Sequence, residues 1–287
     1  MPQPFNQQQV HLNGLNFNII CEGPKDAPLI ILLHGFPECW LTWEAQIQPL
    51  VDAGYRVMAP DQRGYSLTNK PKSIIDYRID LLASDVDAIR IYAGAEKIHL
   101  VGHDWGGAVA WWYGMHYGQH LQSLTVLNVP HPLAFKKTLL SNKKQLVKSW
   151  YMFFFQIPKL PELLLALRSF KMLKRGLIKS SNNNSFTPQI IDNLQIAWSQ
   201  KGAITGMLNW YRAALRHQVR ATSKRVCCPV RILWGENDIA LTKEMAQLST
   251  RYCDSVDITY YPDASHWLTH DKPVQVSQEI IRFCDAH

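Results

Sequence analysis

Apolar residues recur along this chain in two rhythms. Four short, nearly unbroken runs, Leu29–Leu33, His99–Val101, Ser123–Val129 and Val230–Trp234, are bounded by turn-forming residues. They read as strands buried on both faces of a parallel sheet. A fifth strand is expected at Asp257–Tyr261. Between them lie stretches with apolar and polar faces at helical spacing, such as Tyr77–Ala93 and Thr242–Cys253, and a last helix is expected to start near Val274. Strands alternating with helices predict an α/β fold built on a doubly wound, mostly parallel sheet.

One region breaks the alternation. From Pro132 to His217 the pattern is helical throughout, rich in Leu, Lys and aromatics, with no buried-strand run. Roughly 85 residues is long for a single crossover. The expectation is therefore a sheet core formed by residues 1–131 and 218–287, with residues 132–217 inserted as a helical cap, or lid. The plainer alternative makes these the outer helices of one core.

Charge supports a separate module. Residues 132–180 carry eleven Lys and Arg against one acid, Glu162, a net +10, which leaves −3 on the rest of a chain whose total is +7. This face reads as solvated, with contact to an anionic membrane surface as the alternative. No recognised nucleic-acid motif accompanies it, so no nucleic-acid partner is expected. Apolar residues at 47% and charged residues at 18% fit a globular protein rather than a disordered one. The six cysteines form no CxxC pair and no Cys/His cluster of metal spacing. They read as reduced thiols of a cytoplasmic protein. The N-terminus lacks the charged and apolar regions of a secretory signal.

The chemistry-bearing residues lie at the ends of the expected strands. After Val101 comes Gly102-His103-Asp104-Trp105-Gly106-Gly107, with a helix expected from Trp105. This is the tight strand–turn–helix elbow that raises a nucleophile above a sheet, with Asp where many hydrolases carry Ser. The bland alternative is an Asp capping a helix. In this type of site the order is nucleophile, acid, histidine. Asp238 is preferred as the acid, with Glu236 second; both follow the strand Val230–Trp234. His266 is preferred as the histidine. His270 comes later, beside Asp271 and Lys272 that look like solvated surface, and His287 is terminal. The loop His34–Trp40 follows the first strong strand, so the N–H groups of Phe36 and Trp105 are expected to form an oxyanion hole.

Taken together, His34-Gly35-Phe36-Pro37-Glu38, Asp61-Gln62-Arg63-Gly64-Tyr65-Ser66 and Gly102–Gly107 resemble the motif set of soluble and microbial epoxide hydrolases, members of the α/β-hydrolase fold. The GENDIAL and SHW segments holding Asp238 and His266 fit the same family. The resemblance spans nearly the whole chain. It implies two lid tyrosines that bind and protonate the epoxide oxygen, Tyr151 in SWYMFFFQIP and Tyr211 in MLNWYR. It further implies ring opening by Asp104 to an alkyl ester, hydrolysed by water that His266 and Asp238 activate. No metal or organic cofactor is implied.

The expected substrate is a small hydrophobic epoxide, contacted by Phe36, Trp105, Tyr151 and Tyr211, with water as the second reactant and a monomer or homodimer as the acting species. Two rivals stay open. A haloalkane or haloacid dehalogenase also uses an Asp nucleophile, and Trp105 suits a halide. Fluoroacetate dehalogenases place Arg after the nucleophile, where this chain has Trp105. The other rival, a non-catalytic ligand-binding protein on the same scaffold, would lack a catalytic residue.

Overall fold

The apolar runs form the middle of a single eight-stranded sheet. The computed structural model describes residues 5–287. Its strands are β1 (Gln7–Leu12), β2 (Leu15–Glu22), β3 (Leu29–Leu33), β4 (Arg56–Pro60), β5 (Ile98–His103), β6 (Leu121–Leu127), β7 (Val226–Gly235) and β8 (Cys253–Tyr261). They lie in the order β1-β2-β4-β3-β5-β6-β7-β8. Strand β2 runs antiparallel to both of its neighbours, and every other pairing is parallel. The fold is thus α/β with a mostly parallel sheet, as the alternation of runs predicts.

Every residue of β3 and β5 is buried. Successive side chains point to opposite faces, so Ile31 and Leu33 join one core while Ile30 and Leu32 join the other. Helices α1 (Glu44–Asp52), α2 (Ile79–Tyr92) and α3 (Trp105–His116) precede β6. Helices α2 and α3 cover the first face, and α1 covers the second.

Three strands escape the sequence pattern. Strand β1 lies at the sheet edge and is mostly exposed, so its sequence QQQVHL shows no apolar run. The signal was in the turn: Asn13-Gly14 joins β1 to β2 with φ of 49° and 74°, the mirror-image turn that Asn-Gly favours in hairpins. Strand β4, RVMAP, opens on Arg56 and closes on Pro60, so its apolar run is only three residues, Val57, Met58 and Ala59.

Between β6 and β7 the chain forms α4 (Pro132–Ser141), α5 (Lys143–Lys148), α6 (Trp150–Phe154), α7 (Leu160–Ser180), α8 (Pro188–Ser199) and α9 (Ala203–Arg216). Within α7, Leu167 is extended and Arg168, Ser169 and Phe170 have positive φ, so this run is two helical stretches joined by a kink. Helix α9 crosses the Asp61–Ser66 loop at close range. A Cβ on Gly206 would lie 2.4 Å from the Gly64 carbonyl oxygen. Trp210 Nε1 donates to the Arg63 carbonyl at 2.9 Å. Arg63 in turn makes a two-pronged, buried ion pair with Asp85. The DQRGYS motif is thus the seat of α9. The chain ends with α10 (Glu244–Ser249), α11 (Leu268–Asp271) and α12 (Pro273–Asp285), and α12 packs beside α1.

Candidate active site

The site is built where β3, β5 and β7 end. Asp104 occupies the turn between β5 and α3 with φ 51° and ψ −122°, a conformation rare for a residue with a side chain. Small neighbours make the turn possible. A Cβ on Gly102 would meet the Gly106 carbonyl oxygen at 2.5 Å, and one on Gly106 would meet that of Leu33 at 2.2 Å. The Asp104 side chain stands above the sheet, 19% exposed.

The two carboxylate oxygens of Asp104 have different partners. Oδ1 accepts the Phe36 N–H at 2.8 Å, whereas Oδ2 lies 3.5 Å from His266 Nε2. Burial pushes this carboxyl up. The hydrogen bond and charge of His266, with the Phe36 N–H, outweigh burial and hold it below its ordinary value. Trp105 follows directly at the first turn of α3, and no hydrogen bond joins its N–H to Asp104 among the described residues.

His266 lies just past β8, and its Nδ1 meets Asp238 Oδ2 at 2.6 Å. Asp238 is buried beyond the end of β7. Its Oδ1 accepts the N–H groups of Ala240 and Leu241 at 2.7 and 2.9 Å, and Oδ2 also accepts Asn128 Nδ2 at 2.9 Å. Burial raises the Asp238 carboxyl, but the His266 charge and these bonds hold it low. His266 responds in the opposite direction. Burial lowers it, yet Asp238 and Asp104 together push it up to about 10. The alternative acid, Glu236, pairs instead with Lys243.

Asn128 went unnoticed in the sequence. At the end of β6 with φ 46°, it bonds Gly235 through both ends of its amide as well as Asp238. It thereby ties the end of β6 to the acid loop. His103 also went unremarked. It is buried and pushed down to about 4 by burial and by the charge of His266. Its Nε2 lies 2.8 Å from the His266 carbonyl oxygen; since that oxygen can only accept, Nε2 is the donor.

The reading of Asp271 as solvated surface fails, and its neighbour His270 is no surface residue either. The His270 ring is buried and meets the buried Glu38 carboxylate at 2.6 Å. Asp271 Oδ2 accepts both the N–H and the hydroxyl of Ser265 at 2.6 Å, while Oδ1 accepts from Asn182 N and the Ser185 hydroxyl. Charged residues enter interiors when each is paired, a circumstance their neighbours in sequence do not reveal. On the other side of His266, Trp267 Nε1 donates to the Ser180 hydroxyl at 2.7 Å. Both residues flanking His266 are thus tied to the end of α7 or to the segment just after it, Trp267 directly and Ser265 through Asp271.

The tyrosines come from the inserted helices. Tyr151 lies on α6 and Tyr211 on α9, with ring centroids 5.9 Å apart. Tyr211 is also edge-on to Trp105 at 5.0 Å and to Phe36 at 5.3 Å, so its ring reaches the two residues beside Asp104. Burial, then the charge of Asp104, pushes both phenols above 10 and keeps them protonated at neutral pH. No cluster of three His, Cys, Asp or Glu suited to a metal occurs among the described residues.

A family model described as alpha/beta hydrolase fold matches residues 28–273. Among curated relatives, the AB hydrolase superfamily protein YfhM of Bacillus subtilis is 40% identical over 96% of each chain. Epoxide hydrolase 4 of Homo sapiens is 36% identical over 94% of this chain and 76% of its own. Among solved structures, the Bacillus megaterium epoxide hydrolase bound to an inhibitor superposes with a TM-score of 0.88, at 28% identity, over 97% of this chain and all of that one. By sequence and by fold, the chain belongs to the α/β-hydrolase fold family and, within it, to the epoxide hydrolases.

Proposed function

We propose that this protein hydrolyses a hydrophobic epoxide to a vicinal diol through an ester on Asp104. The observation that carries the reading is the split role of that carboxylate. Oδ1 sits on the Phe36 N–H and Oδ2 faces His266, with the Tyr211 ring packed against both Phe36 and Trp105.

Oδ2 attacks a ring carbon and the C–O bond of the epoxide breaks. The departing oxygen takes a proton from Tyr151 or Tyr211, and the tyrosinate is reprotonated at the expense of His266. Making the ester removes the negative charge of Asp104, which is one cause of the high pKa of both tyrosines and of His266. The same event therefore acidifies the donors and leaves His266 able to act as a base. His266, held by Asp238, then takes a proton from water. The hydroxide adds to the Asp104 carboxyl carbon while Oδ1 is held by Phe36 N–H. Collapse expels the diol oxygen, which takes the proton from His266. The proton left on Asp104 returns to His266, so the sum is epoxide plus water giving diol. A serine in place of Asp104 would form an ether that water could not cleave.

We assign residues 132–217 as a lid over this site, since they bring both tyrosines. All six cysteines are unpaired, which fits a reducing compartment such as the cytoplasm. No helix among the described residues is long and apolar enough to cross a membrane. A panel of styrene-type, alkyl, fatty-acid and terpene epoxides, run beside haloalkanes and fluoroacetate, tests the reading. Diol from at least one epoxide, without halide release from the others, is the expected result; halide release alone would overturn it.

A further inference from the structure

Helices α5 and α6 are amphipathic in the wrong sense for a surface in water. Gln145 and Lys148 of α5, with Ser149 between the two helices, turn inward, whereas Lys143 and Lys144 stay exposed. Gln145 is buried and bonds Ala240 O, Thr242 N and the Ser149 hydroxyl, all within 3.1 Å. Ser149 is buried, and Lys148 reaches in to the Asp238 carbonyl at 2.8 Å. Four apolar residues face outward: Val147 is 71% exposed and Trp150 is 63% exposed, with Leu146 and Phe153 also exposed, while Met152 and Phe154 pack on the core. Leu140, at the end of α4, adds 79% exposure nearby in the chain. Water-facing helices normally show the reverse pattern, and large exposed apolar patches mark contact surfaces.

The charge around this ridge selects the partner. Lys136, Lys137, Lys143 and Lys144 are all exposed on α4 and α5. The acid of the segment, Glu162, is already paired with Arg212 at 2.6 Å. A second copy of this face would set its four exposed lysines against four more. An anionic lipid surface suits both features, because headgroup phosphates meet the lysines while Trp and Phe enter the interface. We propose that the exposed apolar ridge of α5 and α6, flanked by the lysines of α4 and α5, docks on anionic lipid membranes. Tyr151 projects inward from the same α6 that presents Trp150 and Phe153 outward, so docking would set the lid against the layer in which lipophilic molecules dissolve.

Co-sedimentation with vesicles tests this without any need for turnover, so its failure is separable from failure of the proposed reaction. Vesicles of phosphatidylcholine are compared with equal mixtures of phosphatidylcholine and phosphatidylglycerol, at low ionic strength and in physiological salt. The full-length chain should sediment with the mixed vesicles and not with phosphatidylcholine alone, and salt should weaken the binding. The variant K136Q/K137Q/K143Q/K144Q should lose about tenfold or more of its partitioning. Val147→Ser with Trp150→Ser and Phe153→Ser should lose the binding that survives salt. Circular dichroism and turnover of a water-soluble epoxide verify that each variant is folded. Absence of wild-type binding to mixed vesicles at low ionic strength overturns the proposal. So does binding that neither variant weakens, or a dimer that the serine variant converts to monomer in a chain that ignores vesicles.

Discussion

Asp238 takes four hydrogen bonds from three segments of the chain, whereas the Tyr211 ring is positioned by the edges of Phe36, Trp105, Tyr151 and Phe155. The first arrangement is electrostatic and directional. The second is apolar and rests on shape. Leaving the oxygens of a buried carboxylate unpaired is costly, so the four bonds to Asp238 hold the relay in place before any substrate arrives. A neutral phenol carries a far smaller desolvation cost, so packing is enough to aim it. The relay should therefore fail in an all-or-none manner and the tyrosines by degrees.

The largest effects follow from breaking the relay. Asp104→Ala should abolish turnover and form no adduct. His266→Gln should block only the second half-reaction and accumulate enzyme heavier by one whole substrate, since epoxide opening expels no group. Intact-mass spectrometry with peptide mapping should place the adduct on Asp104. A dehalogenase intermediate would lack the mass of hydrogen halide. An active Asp104→Ala, or an adduct trapped by His270→Gln but not by His266→Gln, would reverse the assignments.

The tyrosines come next. Replacing one hydroxyl leaves the other on the epoxide oxygen, so Tyr151→Phe and Tyr211→Phe should each cost on the order of tenfold to a hundredfold in kcat/KM. The double change should exceed the product of the two, because each single variant retains a donor. Wild-type kinetics for Tyr151→Phe would move the donor elsewhere on the lid.

The same contrast explains what the chain disclosed in advance. Asp104, Asp238 and His266 were readable because a tight elbow demands glycines and the order of the three is fixed by the sheet. The central strands were readable because both their faces are buried. Asn128, Glu38 with His270, and Asp271 were not. Their roles depend on pairing across long stretches of chain, 110 residues for Asn128 with Asp238 and 232 for Glu38 with His270, and a polar residue looks alike whether its partner is water or a buried amide. The lid tyrosines came only from the family resemblance, because nothing local separates a donor tyrosine from a packed one.

The raised pKa of His266 sharpens the comparison through pH. Its ordinary value is 6.5 and its folded value is about 10. Folding thus favours the protonated form, so its contribution to stability is full below about 6.5 and is lost as pH rises toward 10. The thermal midpoint of the wild type should fall across that window more than that of His266→Gln. Once Asp104 is an ester, one of the two anions beside His266 is gone. Decay of the ester in single turnovers should therefore accelerate with pH through an apparent pKa below 10. Identical pKa values for the free enzyme and the ester would mean that Asp104 does not tune His266.

The smallest expected effect lies where relay and lid meet. Asp271 holds Ser265, next to His266, and also holds Asn182 and Ser185 in the segment after α7. Hydrogen bonds to a charged group are each worth roughly 1.5–3 kcal/mol, so Asp271→Ala should lower the thermal midpoint by several degrees. A purely structural loss would stop there. If this carboxylate also positions His266, the two half-reactions must respond unequally, because ester formation does not use His266 as a base and ester hydrolysis does. Rapid mixing should then show hydrolysis slowed a few-fold with ester formation nearly unchanged, and Asp271→Asn should restore part of the rate by keeping one acceptor. Equal slowing of both steps would reduce Asp271 to a brace for the fold, with no part in aiming the base.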